Sequence, residues 1–205
     1  MSDVATSHKP SLLTGTSTEF LGSRPLPTVL GRRPVVFLFG PKGSGKTEVA
    51  MRLAGSGAVY WSSQAIERAV LERVREGRWP SEALCNACLV LDGPVFVRTR
   101  ASLRKLLREL LDARTAVSSR TLVTDASGDG SAERLLDGMA AGDTVIIGLR
   151  FPKGRRGRLR YARRRCAEQG LPREAAAGTD RLEPWTYQAV SDALLRWVER
   201  RESDG

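Results

Sequence analysis

The stretch VVFLFGPKGSGKTEVA, residues 35–50, decides how the rest of the chain reads. Its first five residues form an apolar run of the kind that makes a strand buried on both faces. The next eight, Gly40-Pro41-Lys42-Gly43-Ser44-Gly45-Lys46-Thr47, match G-x-x-x-x-G-K-[ST]. The glycines let backbone wrap closely round a phosphate and present successive N–H donors to it. The helix expected after the loop points its positive end at the same anion. Lys46 is placed to reach the β- and γ-phosphates, and Thr47 to hold Mg²⁺ through its hydroxyl. The strand before and the helix after set this loop apart from a chance glycine-rich turn.

Working outward, AVYW (58–61), CLVLD (88–92), TLVTD (121–125) and TVIIGL (144–149) read as further short strands. Between them, SSQAIERAVLERVREG is a helix with Ser62 or Ser63 as cap and Gly77 as stop. RASLRKLLRELLDA sets Leu103, Leu106, Leu107, Leu110 and Leu111 on one helical face, and a further helical stretch falls around Ala132–Ala140. Apolar strands alternating with helices predict an α/β fold, a five-stranded parallel doubly wound sheet. Beyond Phe151 the pattern is helical only. RRGRLRYARRRCAEQ is one helix and EPWTYQAVSDALLRWVERR another, with Pro184 expected at its first helical position. Trp185, Ala189, Val190, Ala193, Leu194 and Trp197 form the apolar face of the second. The expected organisation is a flexible Ser/Thr/Pro/Gly-rich leader over 1–33, an α/β nucleotide-binding domain over 34–151, a basic helical lid-like subdomain over 152–201 and a tail over 202–205.

The 205 residues carry a net charge of +10, which favours nucleic acid, then an acidic partner, then an anionic membrane face. No run approaches the roughly 18–20 apolar residues that span a bilayer, and the start lacks the apolar core of a secretory signal. A cytoplasmic location is expected. Cys85 and Cys88 form a C-x-x-C, but zinc needs about four ligands and only Cys166 and His8 remain to supply them. The plainer reading is that Cys88 opens a buried strand.

CLVLDGP ends its strand in Asp92, where a phosphate-loop site finds the carboxylate that partners Mg²⁺. The alternative is a turn cap before Gly93-Pro94. A whole strand–helix unit separates the two motifs, which leaves room for another strand between them in the sheet. Taken with VYWSSQAIERAVLERVREG, LRKLLREL, LVTDAS and ERLLDGMAAGDTVIIGL, this order of pieces resembles the AAA+ module of the bacterial replication initiator DnaA and its regulatory relatives, over residues 35–200. The resemblance implies ATP with Mg²⁺, and places Thr124 and Asp125 at the sensor 1 strand end. It also exposes departures. A second acid would follow Asp92, where this chain has Gly93. The arginine finger would fall at Gly138, in Arg134-Leu135-Leu136-Asp137-Gly138, and the sensor 2 arginine near Tyr187-Gln188. An arginine finger alone is worth about 10³–10⁵ in rate, so binding without brisk hydrolysis is expected. No N/T-K-x-D guanine-reading motif appears, which favours ATP. No helix-turn-helix is expected after the module, as in the regulatory relatives.

Between Arg150 and Arg165 lie eight arginines and one lysine without an acid. Arg155, Arg156, Arg158, Arg160, Arg163, Arg164 and Arg165 are candidate contacts to nucleic acid, chiefly to DNA phosphates. A solvated helix with counter-ions is the plain alternative. Leu159, Ala162 and Cys166 would be its narrow inward stripe. An acidic protein partner and homo-oligomerisation stay open. Two other functions compete: a small P-loop kinase with an Arg-rich lid, in which Asp92 or Asp125 faces an acceptor hydroxyl, and a basic adaptor whose loop is structural.

Overall fold

The structure, a computed structural model, describes residues 11–15, 30, 33–93, 101–125, 135, 139 and 142–203. Six parallel strands form one sheet: β1 (Ser11–Gly15), β2 (Val35–Phe39), β3 (Val59–Ser62), β4 (Cys88–Asp92), β5 (Arg120–Asp125) and β6 (Thr144–Leu149). Their order is β1-β6-β2-β5-β4-β3. The inserted strand expected between the two motifs is β5, which pairs with β2 on one side and β4 on the other.

Side-chain alternation divides the core into two layers. Val35, Phe37, Leu89, Leu91, Val123 and Ile146 face one side, covered by α2 (Ser63–Glu76), α3 (Ser81–Cys85) and α4 (Ala101–Ala116). Val36, Leu38, Val90, Leu122, Val145 and Ile147 face the other, covered by Val49 and Ala50 of α1 (Lys46–Ala54). Ser62 caps α2 by accepting a hydrogen bond from the Ala65 N–H at 3.4 Å, and Gly77 ends it in the left-handed conformation. The helical stretch around 132–140 lies outside the described residues, apart from Leu135 and Met139.

Two expectations need correction. The sheet has one strand more than the five expected, because Ser11–Gly15 of the leader pairs with β6, from Ser11 opposite Val145 to Gly15 opposite Leu149. The physical reason is the edge. Without β1, β6 would present a row of unpaired backbone donors and acceptors. Leu13 packs against the α1-side core, and Leu30 of the same leader is buried in it. The last helix, α6 (Tyr187–Ser203), starts three residues after Pro184. Thr186 caps it, its Oγ1 accepting from the Ala189 N–H at 2.9 Å.

Arg114, at the end of α4, is fully buried. Its guanidinium donates to the carbonyls of Ala83, Asn86 and Arg120 and to Thr121 Oγ1. It thereby ties the end of α3 and the start of β5 to α4.

After β6 the chain builds a separate small core. Tyr161, Ala162 and Cys166 of α5 (Gly154–Glu168) pack against Ala175, Ala176, Trp185, Tyr187, Val190 and Leu194. Leu159 is only partly buried there, and Tyr161 takes the larger share of the inward face. Phe151, Tyr161, Trp185 and Tyr187 form an aromatic cluster, with ring centroids 4.2–5.9 Å apart.

Candidate nucleotide site

The loop between β2 and α1 lies at the carboxyl end of the sheet, where open α/β sheets bind ligands. Gly45 precedes α1 in the left-handed conformation, with no side chain capping the helix. The first-turn N–H groups of α1 are therefore available to an anion. Lys46 donates from Nζ to the carbonyls of Gly40 and Pro41, each at 2.9 Å. Ser44 Oγ is buried with no hydrogen-bond partner among the described residues. An orphaned hydroxyl within this loop fits a phosphate.

Asp92 ends β4 beside this loop. Thr47 donates from Oγ1 to both its carboxylate oxygens, at 3.1 and 3.0 Å. Thr124, opposite Asp92 in the β4–β5 register, donates to Oδ1. Tyr60 donates to Oδ2 at 2.6 Å. Burial first, and then the Asp92 hydrogen bond and charge, push the Tyr60 phenol up to about 12. A hydroxyl and a carboxylate this close are the hard oxygen donors that Mg²⁺ takes. Thr47 and Asp92 could hold it. Asp125 is buried at the end of β5, opposite Phe39.

The helical subdomain closes over the loop. Tyr187 N–H donates to the Gly43 carbonyl at 3.2 Å. Gly43 has φ +80°, and a Cβ placed there would come within 2.8 Å of Thr186 Cβ. Loop and subdomain together line a cavity of about 320 Å³, walled by Gly43, Gly45, Lys46 and Thr47 on one side and Tyr161, Arg165, Tyr187 and Gln188 on the other. That volume lies in the range of small-molecule sites.

The sequence matches no protein-family model and no curated protein. Solved structures do match. Domain III of the Thermotoga maritima replication initiation protein DnaA superposes with a TM-score of 0.67 at 14% identity, covering 93% of this chain and 87% of that one. The fold is that of a DnaA-type AAA+ module. Replication initiator DnaA bound to AMPPCP and single-stranded DNA matches with a TM-score of 0.56 at 13% identity, over 84% of this chain. AMPPCP-bound DnaA from Aquifex aeolicus matches at 0.52 and 15%, over 80%. The chain spans 59% and 53% of the lengths of these last two.

The position after Asp92, where the resemblance leads one to expect a second acid, is a constrained piece of backbone. Gly93 has φ +68°, and a Cβ there would meet Ser63 Oγ at 3.2 Å. Its N–H is pinned to Thr124, donating to both the carbonyl and Oγ1 at 3.1 Å. Of the finger stretch, all but Leu135 lies outside the described residues. Tyr187 and Gln188, at the expected place of the second sensor, do line the cavity, but neither carries charge.

The seven candidate arginines of α5 divide. Arg155 donates to Asp180 at 2.5 Å and holds that carboxyl below the usual carboxylate range. Arg158 lies 5.6 Å over the Trp185 ring. Arg164 and Arg165 pair with Glu168. Arg156, Arg160 and Arg163 are exposed, with no acidic partner among the described residues. A uniform arginine surface is thus not what the packing leaves. Tyr60 is a site residue that sequence reasoning does not find, and Arg165, read from sequence as a contact to nucleic acid, lines this cavity. Tyr60 has a faint signal, lying two residues before Ser62, which stands opposite Asp92 in the β3–β4 register. Arg165 has none, because it sits among similar neighbours.

Proposed function

We propose that this protein is an ATP-binding regulator or scaffold that holds Mg·ATP and hydrolyses it slowly or not at all, while its basic helix contacts nucleic acid. The observation that carries the first part is the contrast at the end of β4. Lys46, Thr47 and Asp92 converge at the loop, but the next position is a glycine in a left-handed conformation, pinned to Thr124. An arriving phosphate would draw Lys46 Nζ from the two loop carbonyls, and Asp92 with Thr47 would hold Mg²⁺, which would supply charge neutralisation to the phosphates. Gly93 offers no carboxylate beside Asp92 to orient an attacking water. The experiment is ATP binding by calorimetry beside phosphate release under multiple turnover. Tight binding with little release is expected, and ordinary turnover by the pure protein sinks the reading.

The nucleic-acid part draws support from Arg156, Arg160 and Arg163, and from the single-stranded DNA carried by one structural neighbour. Three phosphate contacts on a single strand give a log–log salt slope of about −2. Anisotropy titrations of single-stranded DNA at several salt concentrations should show that slope, and Arg156→Glu/Arg160→Glu/Arg163→Glu should abolish it. Salt-insensitive binding removes this part. The kinase reading draws no comparable support, since Asp125 is buried at the end of β5 and Asp92 is bound to Thr47 of the loop rather than turned to an acceptor site.

A further inference from the structure

Arg165 of α5 lines the nucleotide cavity together with Gly45, Lys46 and Thr47 of the loop. Two carboxylates hold it: Glu168, 3.0 Å from Nη1, and Glu48 of α1, 3.6 Å from the same nitrogen. Each carboxylate already has a second arginine. Glu168 takes Arg164 Nε at 2.9 Å, and Glu48 takes Arg52 Nη2 at 3.3 Å. Arg165 can therefore leave either acid without stranding a charge.

Its own donors are underused. Nε is buried with no hydrogen-bond partner among the described residues, and the Glu48 contact is too long for a hydrogen bond. The side chain is only 23% exposed, so water does little to satisfy the remaining N–H groups. A planar fork with spare donors, in a cavity also lined by a phosphate loop, is suited to an oxygen anion that accepts two hydrogen bonds.

We infer that Arg165 is a ligand for the phosphate chain of the nucleotide, held in check by Glu48 until the nucleotide arrives. This rests on the nucleotide reading above, and it moves Arg165 from the polyanion face into the nucleotide site. The exchange also links the site to the basic helix. Among the described residues, Arg165–Glu48 is the ion pair that joins α5 to α1, and phosphate replaces it. Arg156, Arg160 and Arg163 ride on the same helix, so occupancy of the cavity and the set of the exposed arginines are coupled through one side chain.

The test is equilibrium binding of a fluorescent ATP analogue, with Mg²⁺, to the full chain and its variants. Arg165→Gln should weaken binding about 10–100-fold, the loss of one charge-assisted phosphate contact. Arg165→Lys, which keeps the charge and loses the fork, should fall between. Glu48→Gln should tighten binding a few-fold, and that gain should vanish in the Glu48→Gln/Arg165→Gln double variant. Opposite signs at the two ends of one ion pair are not what a merely structural pair produces. A gain that persists in the double variant overturns the gating, because Glu48 would then act by repulsion alone. Lys46→Ala separates the two claims. If it loses binding while Arg165→Gln binds like wild type, the nucleotide reading stands and this inference falls. If wild type binds no nucleotide, both fall. Should Arg165→Gln fail to fold, unchanged affinity in both Arg165→Lys and Glu48→Gln overturns the inference.

Discussion

Replacing Gly43 by alanine tests whether the helical subdomain is seated on the phosphate loop. At φ +80° an L-residue costs about 1–2 kcal/mol. The new Cβ would stand 2.8 Å from Thr186 Cβ and 3.1 Å from its Cγ2. Packed carbons settle at about 3.5–4.0 Å, so Thr186 must withdraw. Withdrawal stretches the Tyr187 N–H bond to the Gly43 carbonyl, already 3.2 Å, at about 0.5–1.5 kcal/mol. The whole loss is about 1.5–3.5 kcal/mol. Gly77 supplies the control: it has φ +70°, and nothing lies within 4 Å of an added Cβ. Gly77→Ala therefore carries the conformational cost alone. Urea unfolding with linear extrapolation measures both. Gly43→Ala is expected to lose about 0.5–1.5 kcal/mol more than Gly77→Ala. The ATP-induced rise in Tm should shrink in Gly43→Ala and persist in Gly77→Ala, because only the first disturbs the cavity wall. Equal stability losses with equal ATP responses would refute the seating.

Arg114→Met removes a buried guanidinium from three carbonyls and Thr121, and should cost about 3 kcal/mol or more in urea unfolding; a loss under about 1 kcal/mol would show that those carbonyls find other partners. Gly93→Glu places a carboxylate at a left-handed position beside Ser63, so phosphate release should stay at the wild-type level; steady turnover would show that the backbone was no obstacle. In alkaline absorbance titration one tyrosine, absent in Tyr60→Phe, should ionise near 12 rather than at the ordinary value of 10.0. Its sign comes from the raised value: the phenol's contribution is intact below the ordinary value and is lost as pH rises through the folded one. A wild-type titration matching Tyr60→Phe in that range would mean that Tyr60 does not hold Asp92.

Much of this is legible locally. The phosphate loop is a short-range signal, since eight consecutive residues with a strand before and a helix after specify a conformation whatever surrounds them. The strands β2, β4 and β6 are readable because each is a short apolar run between polar turns, and Ser62 and Gly77 mark helix ends by backbone chemistry alone. The start of α6 differs from expectation because Trp185 packs into the aromatic cluster and Thr186 caps the helix after it, contacts that the Pro184 signal does not carry. Strand β1 escapes sequence reading for a different reason. A five-residue edge strand is stabilised by the ladder it joins, and its sequence need only avoid opposing that pairing.

The sequence by itself determined a phosphate-binding loop, the order of strands and helices behind it and an excess of positive charge after it. Those depend on neighbours a few residues apart. Only the tertiary structure decided which of seven arginines faces the cavity, that Tyr60 reaches Asp92 from a different strand, and that Gly93 is pinned to Thr124. These are contacts across 31 or more residues of chain, or a choice among like side chains on one helix. Local pattern carries no record of either, because both are set by where the sheet and the subdomain come to rest.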